Sequence, residues 1–148
     1  MNNPFISNFL HLKEIKEING WGVFTTKDIP INTIIEISPV VVFPSALLSM
    51  GIFCARAEGF KDNDLQLDQY AIVWNDGNTH YEKTAIMTGL CPIYNHSDNN
   101  NARFTTDYSD RLMGVITIRP IKKDDQITVN YGSEWFELKK NYITPVTF

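Results

Sequence analysis

A mostly-β fold is predicted for this chain by three observations. Short β-branched and aromatic runs recur, such as Thr33-Ile34-Ile35-Glu36-Ile37 and Val40-Val41-Val42-Phe43. Between them stand Asn19-Gly20, Asp28-Ile29-Pro30-Ile31-Asn32 and Asn75-Asp76-Gly77-Asn78, clusters that mark turns because they tolerate or impose unusual backbone angles. Only the last segment carries helix punctuation. With 148 residues, 43% hydrophobic and 12% aromatic, the chain is the size of one domain and can fill one core, so a single domain over 1–148 is expected.

The elements follow in order. Leu12 to Ile18 alternates loosely, and after the Asn19-Gly20 turn Trp21-Gly22-Val23-Phe24 reads as a second short strand. The two β-branched runs at 33–37 and 40–43 are split by Pro39, which lacks an N–H for the ladder and so predicts a bend or an edge. From Ser45 to Phe60 the alternation disappears, and Asp62-Asn63-Asp64 with Asp68 reads as an acidic loop leading to Gln69-Tyr70-Ala71-Ile72-Val73-Trp74. Asp76-Gly77 is a hairpin signal, with Thr79-His80-Tyr81 as the returning strand. Arg103–Thr106 and Met113–Ile118 form another predicted hairpin around Tyr108-Ser109-Asp110. Ser133 as N-cap, Glu134 in the first turn and Lys139-Lys140 near the end predict a short helix over 133–142. No repeat or low-complexity linker divides the chain.

Charge and composition narrow the functional classes. A formal net charge of -4 and the absence of a lysine cluster argue against nucleic acid as the principal partner, because phosphate binding needs a basic patch. An acidic surface attracts basic peptides instead, although mild acidity is also the ordinary state of soluble proteins. Cys54 and Cys91 stand far apart without a CxxC partner, so neither a disulfide framework nor a metal site is indicated, and reduced, buried thiols are expected. The N-terminus Met1-Asn2-Asn3-Pro4-Phe5 lacks a basic region followed by an apolar one, and no apolar run approaches the ~18 residues of a membrane span. A soluble cytoplasmic or nuclear protein is therefore the expectation.

Three segments carry groups suited to chemistry. In Gly20-Trp21-Gly22 the glycines would let backbone N–H and C=O groups approach a ligand closely, although two glycines around an aromatic residue also make an ordinary tight turn. Asn95-His96-Ser97 offers donors and acceptors on flat, rigid side chains suited to an adenine edge. Its alternative is a polar turn. Tyr131 closes Ile127-Thr128-Val129-Asn130-Tyr131-Gly132, where alternation turns it to the same inward side as Ile127 and Val129. It is either a core tyrosine or a phenol aimed at a substrate.

In this order, with Asn101-Ala102-Arg103-Phe104 following the second segment, the three motifs resemble the SET domain family. The resemblance spans about Leu12 to Trp135 and implies small curved sheets in a β-clip arrangement, with the C-terminal segment tucked under an earlier loop in a pseudoknot. It also implies transfer of a methyl group from S-adenosyl-L-methionine, leaving S-adenosyl-L-homocysteine, to the ε-amine of a lysine in a histone or other basic protein. By the same resemblance Gly20, Trp21 and Gly22 lie against the methionine end of the cofactor, and Asn95 and His96 hold its adenine end. Tyr131 meets the cofactor and orients the substrate amine, Trp135 covers the cofactor, and Tyr70, Tyr94 and Phe136 are candidates for a lysine channel. The chain departs from the family pattern at Asp124-Asp125-Gln126 for Gly-Glu-Glu, Asn130 for an acid, Asn100 for proline and Asp98 for cysteine. The cysteine-rich zinc modules that flank many members are missing from this sequence, a minimal form.

The chemistry implied poses a definite physical problem. A lysine nucleophile must be neutral, yet its free pKa is about 10.4. Two unit charges about 4 Å apart repel by roughly 4 kcal/mol at an effective dielectric of about 20, or about three pKa units, so a neighbouring sulfonium itself favours loss of the proton. Alignment, a hydrogen bond from Tyr131 and exclusion of water remain as the protein's tasks. Two other readings stay open: a SET-like module that binds a peptide without methyl transfer, and a hydrolase pairing Cys91 or Cys54 with His96, which lacks a recognisable nucleophile turn. Asp62, Asp64 and Asp68 are either a rim that gathers basic substrate or a solvated loop.

Overall fold

The structure, a computed structural model, describes residues 3–60, 70–77, 80 and 82–133. The chain divides into two units, Met1–Val41 with Met87–Asn130 and Val42–Ile86 with Tyr131–Phe148. Its elements run β1 (Phe5–Ile6), β2 (Leu10–Ile15), β3 (Gly20–Thr25), β4 (Ile34–Pro44), α1 (Ser45–Ala57), β5 (Ala71–Val73), β6 (Lys83–Met87), β7 (Asn95–His96), β8 (Ala102–Asp107), β9 (Leu112–Thr117) and β10 (Gln126–Val129).

In the first unit one sheet is ordered β2-β3-β10-β7. β2 and β3 are antiparallel, with registers from Leu10↔Thr25 to Ile15↔Gly20, joined by a 3-10 turn over Lys16–Ile18 and by Asn19 in the left-handed region. Asparagine is one of the few residues that accept that conformation cheaply. β3 pairs antiparallel with β10, and β10 pairs in parallel with β7 through Thr128↔Asn95 and Val129↔His96. The other strands of this unit pair as β1 with β4, β4 with β9 and β9 with β8. Val23, Ile35, Ile37, Val115, Ile127 and Val129 are buried, and each such side chain withdrawn from water contributes about 1.5–3 kcal/mol before entropy is counted.

β4 corrects the sequence reading at Pro39, which interrupts nothing. Val40 N–H donates to Arg111 at 3.0 Å, so strand alternation turns the Pro39 nitrogen away from β9 and costs that ladder no bond. A register shift between Ile34 and Glu36 marks a bulge, a device that re-aims side chains. Ile35, Glu36, Ile37 and Ser38 are then all buried, where simple alternation would have put every second one in water.

In the second unit β5 and β6 are the expected hairpin in type, paired Ala71↔Ile86 to Val73↔Thr84. The strand that pairs with β5 is Lys83–Met87, and His80, within the expected 79–81 return, stands in a bend. Residues Thr79 and Tyr81, the acidic stretch Asp62, Asp64 and Asp68, and all of the predicted C-terminal helix after Ser133 lie outside the described residues. Between Ser45 and Ala57 the structure has a helix, α1, where the sequence reading assigned no element. Its start is tied down by Ser45 N–H to the Glu82 carbonyl at 2.9 Å and by a 2.8 Å hydroxyl pair between Ser45 and Thr84. No residue of α1 is fully buried, and apolar side chains stand on several of its sides, Leu47, Met50 and Phe53 exposed and Leu48 and Ile52 half-buried, so no polar face sets off an apolar one in the sequence. Cys54, on this helix, is exposed, contrary to the expectation of two buried thiols; Cys91 is buried. No described helix is long and apolar enough to cross a membrane.

Candidate functional site

The glycine motif does not form a turn. The turn is made by Lys16 to Asn19, and Gly20-Trp21-Gly22 opens strand β3. Neither Gly20 nor Gly22 has a positive φ, so what demands glycine at 22 is space. A Cβ there would stand 2.6 Å from Ile15 Cδ1, 2.7 Å from Gln126 Nε2 and 3.1 Å from Asn95 Nδ2. Three side chains thus close over the Gly22 backbone. The Trp21 indole is 55% exposed, and its carbonyl accepts a 3.0 Å hydrogen bond from Asn95 Nδ2. That bond joins the first motif to the second, 74 residues later in the chain.

The parallel ladder to β10 sets the direction of Asn95 and His96. Ser97 N–H donates to Val129 at 2.9 Å, so alternation directs the backbone groups of His96 to the side opposite β10, at the edge of the sheet. Asn95 spends its amide nitrogen on Trp21, and its Oδ1 makes no hydrogen bond among the described residues. An amide oxygen in that state accepts a bond from a ligand's amino group. His96 Nε2 lies 3.2 Å from Asp98 Oδ1, with Asp98 97% exposed; solvent leaves such a pair little energy.

Asn101 is a residue that sequence reading noticed only for its spacing. Its Oδ1 accepts from Thr128 N–H at 2.9 Å and its Nδ2 donates to the Gln126 carbonyl at 2.8 Å. Its backbone donates to Thr128 at 3.2 Å and accepts from Ile118 at 2.9 Å. The side chain thereby imitates a neighbouring strand for β10 and fixes the strand that leads to Tyr131.

Tyr94, the residue before Asn95, reaches a carboxylate that the sequence did not single out. Glu36 is 0% exposed. Its Oε1 accepts from Ser38 Oγ and Leu90 N–H, each at 2.7 Å, and from Cys91 Sγ at 3.6 Å, while Oε2 accepts from Tyr94 OH at 2.9 Å. Desolvation, then the Glu36 charge and its hydrogen bond, pushes both the Cys91 thiol and the Tyr94 phenol far above their ordinary pKa ranges. A thiol held neutral is no nucleophile, which removes Cys91 from the hydrolase reading. Tyr94, expected to line a substrate channel, is instead a core residue with its hydroxyl committed to Glu36 and its ring edge-on to Phe104, centroids 6.4 Å apart.

The remaining candidates, Tyr70, Tyr131, Trp135 and Phe136, fall in the second unit. Tyr131 is half-buried and lies two residues past the end of β10, not within it, followed by Gly132 at φ +80°. The alternation that placed it inward therefore stops short of it. Tyr70 is half-buried just before β5. Trp135 and Phe136 lie outside the described residues. Among the described residues no cluster of histidine, cysteine, aspartate and glutamate could hold a metal ion.

Gly22→Ala tests whether the closure over β3 matters. The new methyl must displace Ile15, Gln126 and the Asn95 amide together, an overpacking that costs about 1–3 kcal/mol. Urea denaturation should report that loss; a change under about 0.5 kcal/mol would show that the three side chains yield freely.

Comparison with known proteins adds a family. The model of the SET domain matches residues 20–132. A Schizosaccharomyces pombe protein named histone-lysine N-methyltransferase, H3 lysine-37 specific, is 29% identical over 140 residues, covering 93% of this chain and 83% of that protein. Among solved structures, a Plasmodium falciparum crystal structure described as that of a candidate histone methyltransferase aligns with a TM-score of 0.60 and 26% identity, covering 88% of this chain and 99% of that one.

Proposed function

Because the chain belongs to the SET domain family, we propose that it is a protein-lysine methyltransferase that takes its methyl group from S-adenosylmethionine. The observation that carries the proposal is the 3.0 Å bond from Asn95 Nδ2 to the Trp21 carbonyl. It unites in one place the two motifs that the family resemblance assigns to the two ends of a cofactor site. The groups there suit that ligand: the exposed Trp21, the Asn95 Oδ1, which makes no hydrogen bond among the described residues, and the backbone of His96 on the side away from β10. Bound there, the cofactor supplies an electrophilic methyl group on a sulfonium.

The chain's own residues do the rest. Gly20, Trp21 and Gly22 offer backbone to the methionine end, and Asn95 and His96 hold the adenine end. Tyr131 orients the lysine amine through its hydroxyl; with a free pKa near 10 a tyrosine is a poor base at neutral pH but an adequate hydrogen-bonding group. By the family resemblance, Tyr70 and Phe136 are the proposed lining of the lysine's approach, and Trp135 is the proposed cover of the cofactor. The family match begins in the first unit, crosses the second and ends at residue 132, which supports treating both as one SET domain. The substrate is a basic protein, with a histone favoured by the name of the yeast relative, and the protein acts in the cytoplasm or nucleus.

Cofactor binding is testable without knowing the substrate. A ligand specific for the native state at about 100 times its dissociation constant stabilises by about 2.7 kcal/mol, which is about 5–10 °C in Tm for a chain of this size. S-adenosylhomocysteine should produce such a shift, and Asn95→Ala should shrink it. A well-folded protein whose Tm does not move at millimolar ligand would overturn the proposal. A shift without any methyl transfer would favour the peptide-binding module.

A further inference from the structure

Glu36 is a charged side chain placed where charge is costly. Taking a carboxylate out of water costs several kcal/mol unless hydrogen bonds replace the hydration, and an apolar residue of similar volume often serves stability as well. Of its four donors, Ser38 belongs to the same strand. The other three, Leu90 N–H, Cys91 Sγ and Tyr94 OH, come from one stretch of chain, and Tyr94 is covalently joined to Asn95. Gly89 passes so near that a Cβ would stand 2.3 Å from Glu36 Oε1. The carboxylate therefore grips residues 89–94 at both ends.

We propose that Glu36 is a positioning residue for the cofactor site: by holding residues 89–94 against β4 it sets where Asn95 stands, and so whether the Asn95 amide reaches the Trp21 carbonyl. This rests on the function proposed above. A hydrogen bond at 3.0 Å is lost when its atoms separate by well under 1 Å more, so a modest slip of the clamped segment is enough to release Asn95. Glutamine at 36 keeps the shape and can keep its oxygen on Leu90 N–H, but its NH2 then meets the Tyr94 hydroxyl, which must turn from donor to acceptor. The charge-assisted bonds that hold residues 89–94 become weaker neutral ones, and the segment is freer to slip.

The test is a double-mutant cycle on the dissociation constant of S-adenosylhomocysteine, measured by calorimetry at a temperature where circular dichroism shows every variant folded. Glu36→Gln alone should weaken binding about tenfold. In an Asn95→Ala background it should weaken it by less than about twofold, because residues acting through one contact are not additive. Tyr94→Phe removes one donor and should give the same non-additivity at about threefold, so it carries the test if Glu36→Gln does not fold. Wild-type affinity in Glu36→Gln, or the full tenfold loss persisting in Asn95→Ala, overturns the positioning role and leaves the proposed function standing. A folded wild type that binds no cofactor overturns the function, and this role with it.

Discussion

Tyr131→Phe is expected to lower the rate of methyl transfer about 100-fold while changing the dissociation constant for S-adenosylmethionine by less than about threefold. The substitution deletes one hydroxyl and almost no volume. At a half-buried position the lost hydrogen bond costs about 1 kcal/mol of stability, too little to unfold the chain. Its effect on turnover is larger because the proposed duty of the hydroxyl is alignment. A nucleophile misplaced by about 1 Å loses about 100-fold in rate, whereas cofactor affinity is assigned to Gly20, Trp21, Gly22, Asn95 and His96. Initial rates at saturating cofactor, set beside calorimetric affinities, separate the two. A variant that transfers at the wild-type rate with the same product distribution would show that Tyr131 has no part in transfer.

Gly89→Ala is expected to produce a large loss of stability. Gly89 has φ +65°, and a Cβ would lie 2.2 Å from Ser38 Oγ, 2.3 Å from Glu36 Oε1 and 3.0 Å from Ser38 Cβ. The left-handed conformation costs a non-glycine residue about 1–2 kcal/mol, and overpacking about 1–3 kcal/mol more. Pushing the carboxylate aside also leaves a buried donor without its acceptor, at about 1–3 kcal/mol. A combined loss of about 3–8 kcal/mol removes a large share of the roughly 5–15 kcal/mol that holds a domain folded. Denaturant midpoints measure it. A loss under about 1 kcal/mol would mean that residues 89–94 move away easily, and that the grip of Glu36 on them is loose.

What the sequence disclosed follows from where periodicity and chemistry coincide. The β2–β3 pair and the β8–β9 hairpin were legible because alternating residues flank turns rich in asparagine, aspartate and serine. Helix α1 was not, since its apolar residues stand on several sides, Leu47, Met50 and Phe53 exposed and Leu48 and Ile52 half-buried, and no polar face sets off an apolar one. Pro39 misled because a proline breaks only the ladder its nitrogen faces, and which side that is depends on the pairing with β9. The motifs around Gly22 and Asn95 announced a site, but the reason for Gly22 is crowding by Ile15, Gln126 and Asn95, not a turn. Glu36 was invisible within an apolar run. A glutamate there reads as one solvent-facing position, and only the folded chain brings Leu90, Cys91 and Tyr94 to it.

Transfer of a methyl group from S-adenosylmethionine to a lysine side chain is the reaction proposed for this chain. Incubating the full chain with S-adenosylmethionine carrying a labelled methyl group and a mixture of basic proteins that includes histones, then hydrolysing the protein and identifying the labelled amino acid, reads that reaction out. Label is expected in Nε-methylated lysine, reduced to about one hundredth by Tyr131→Phe. Protein that binds the cofactor by calorimetry yet leaves every lysine unlabelled would contradict it.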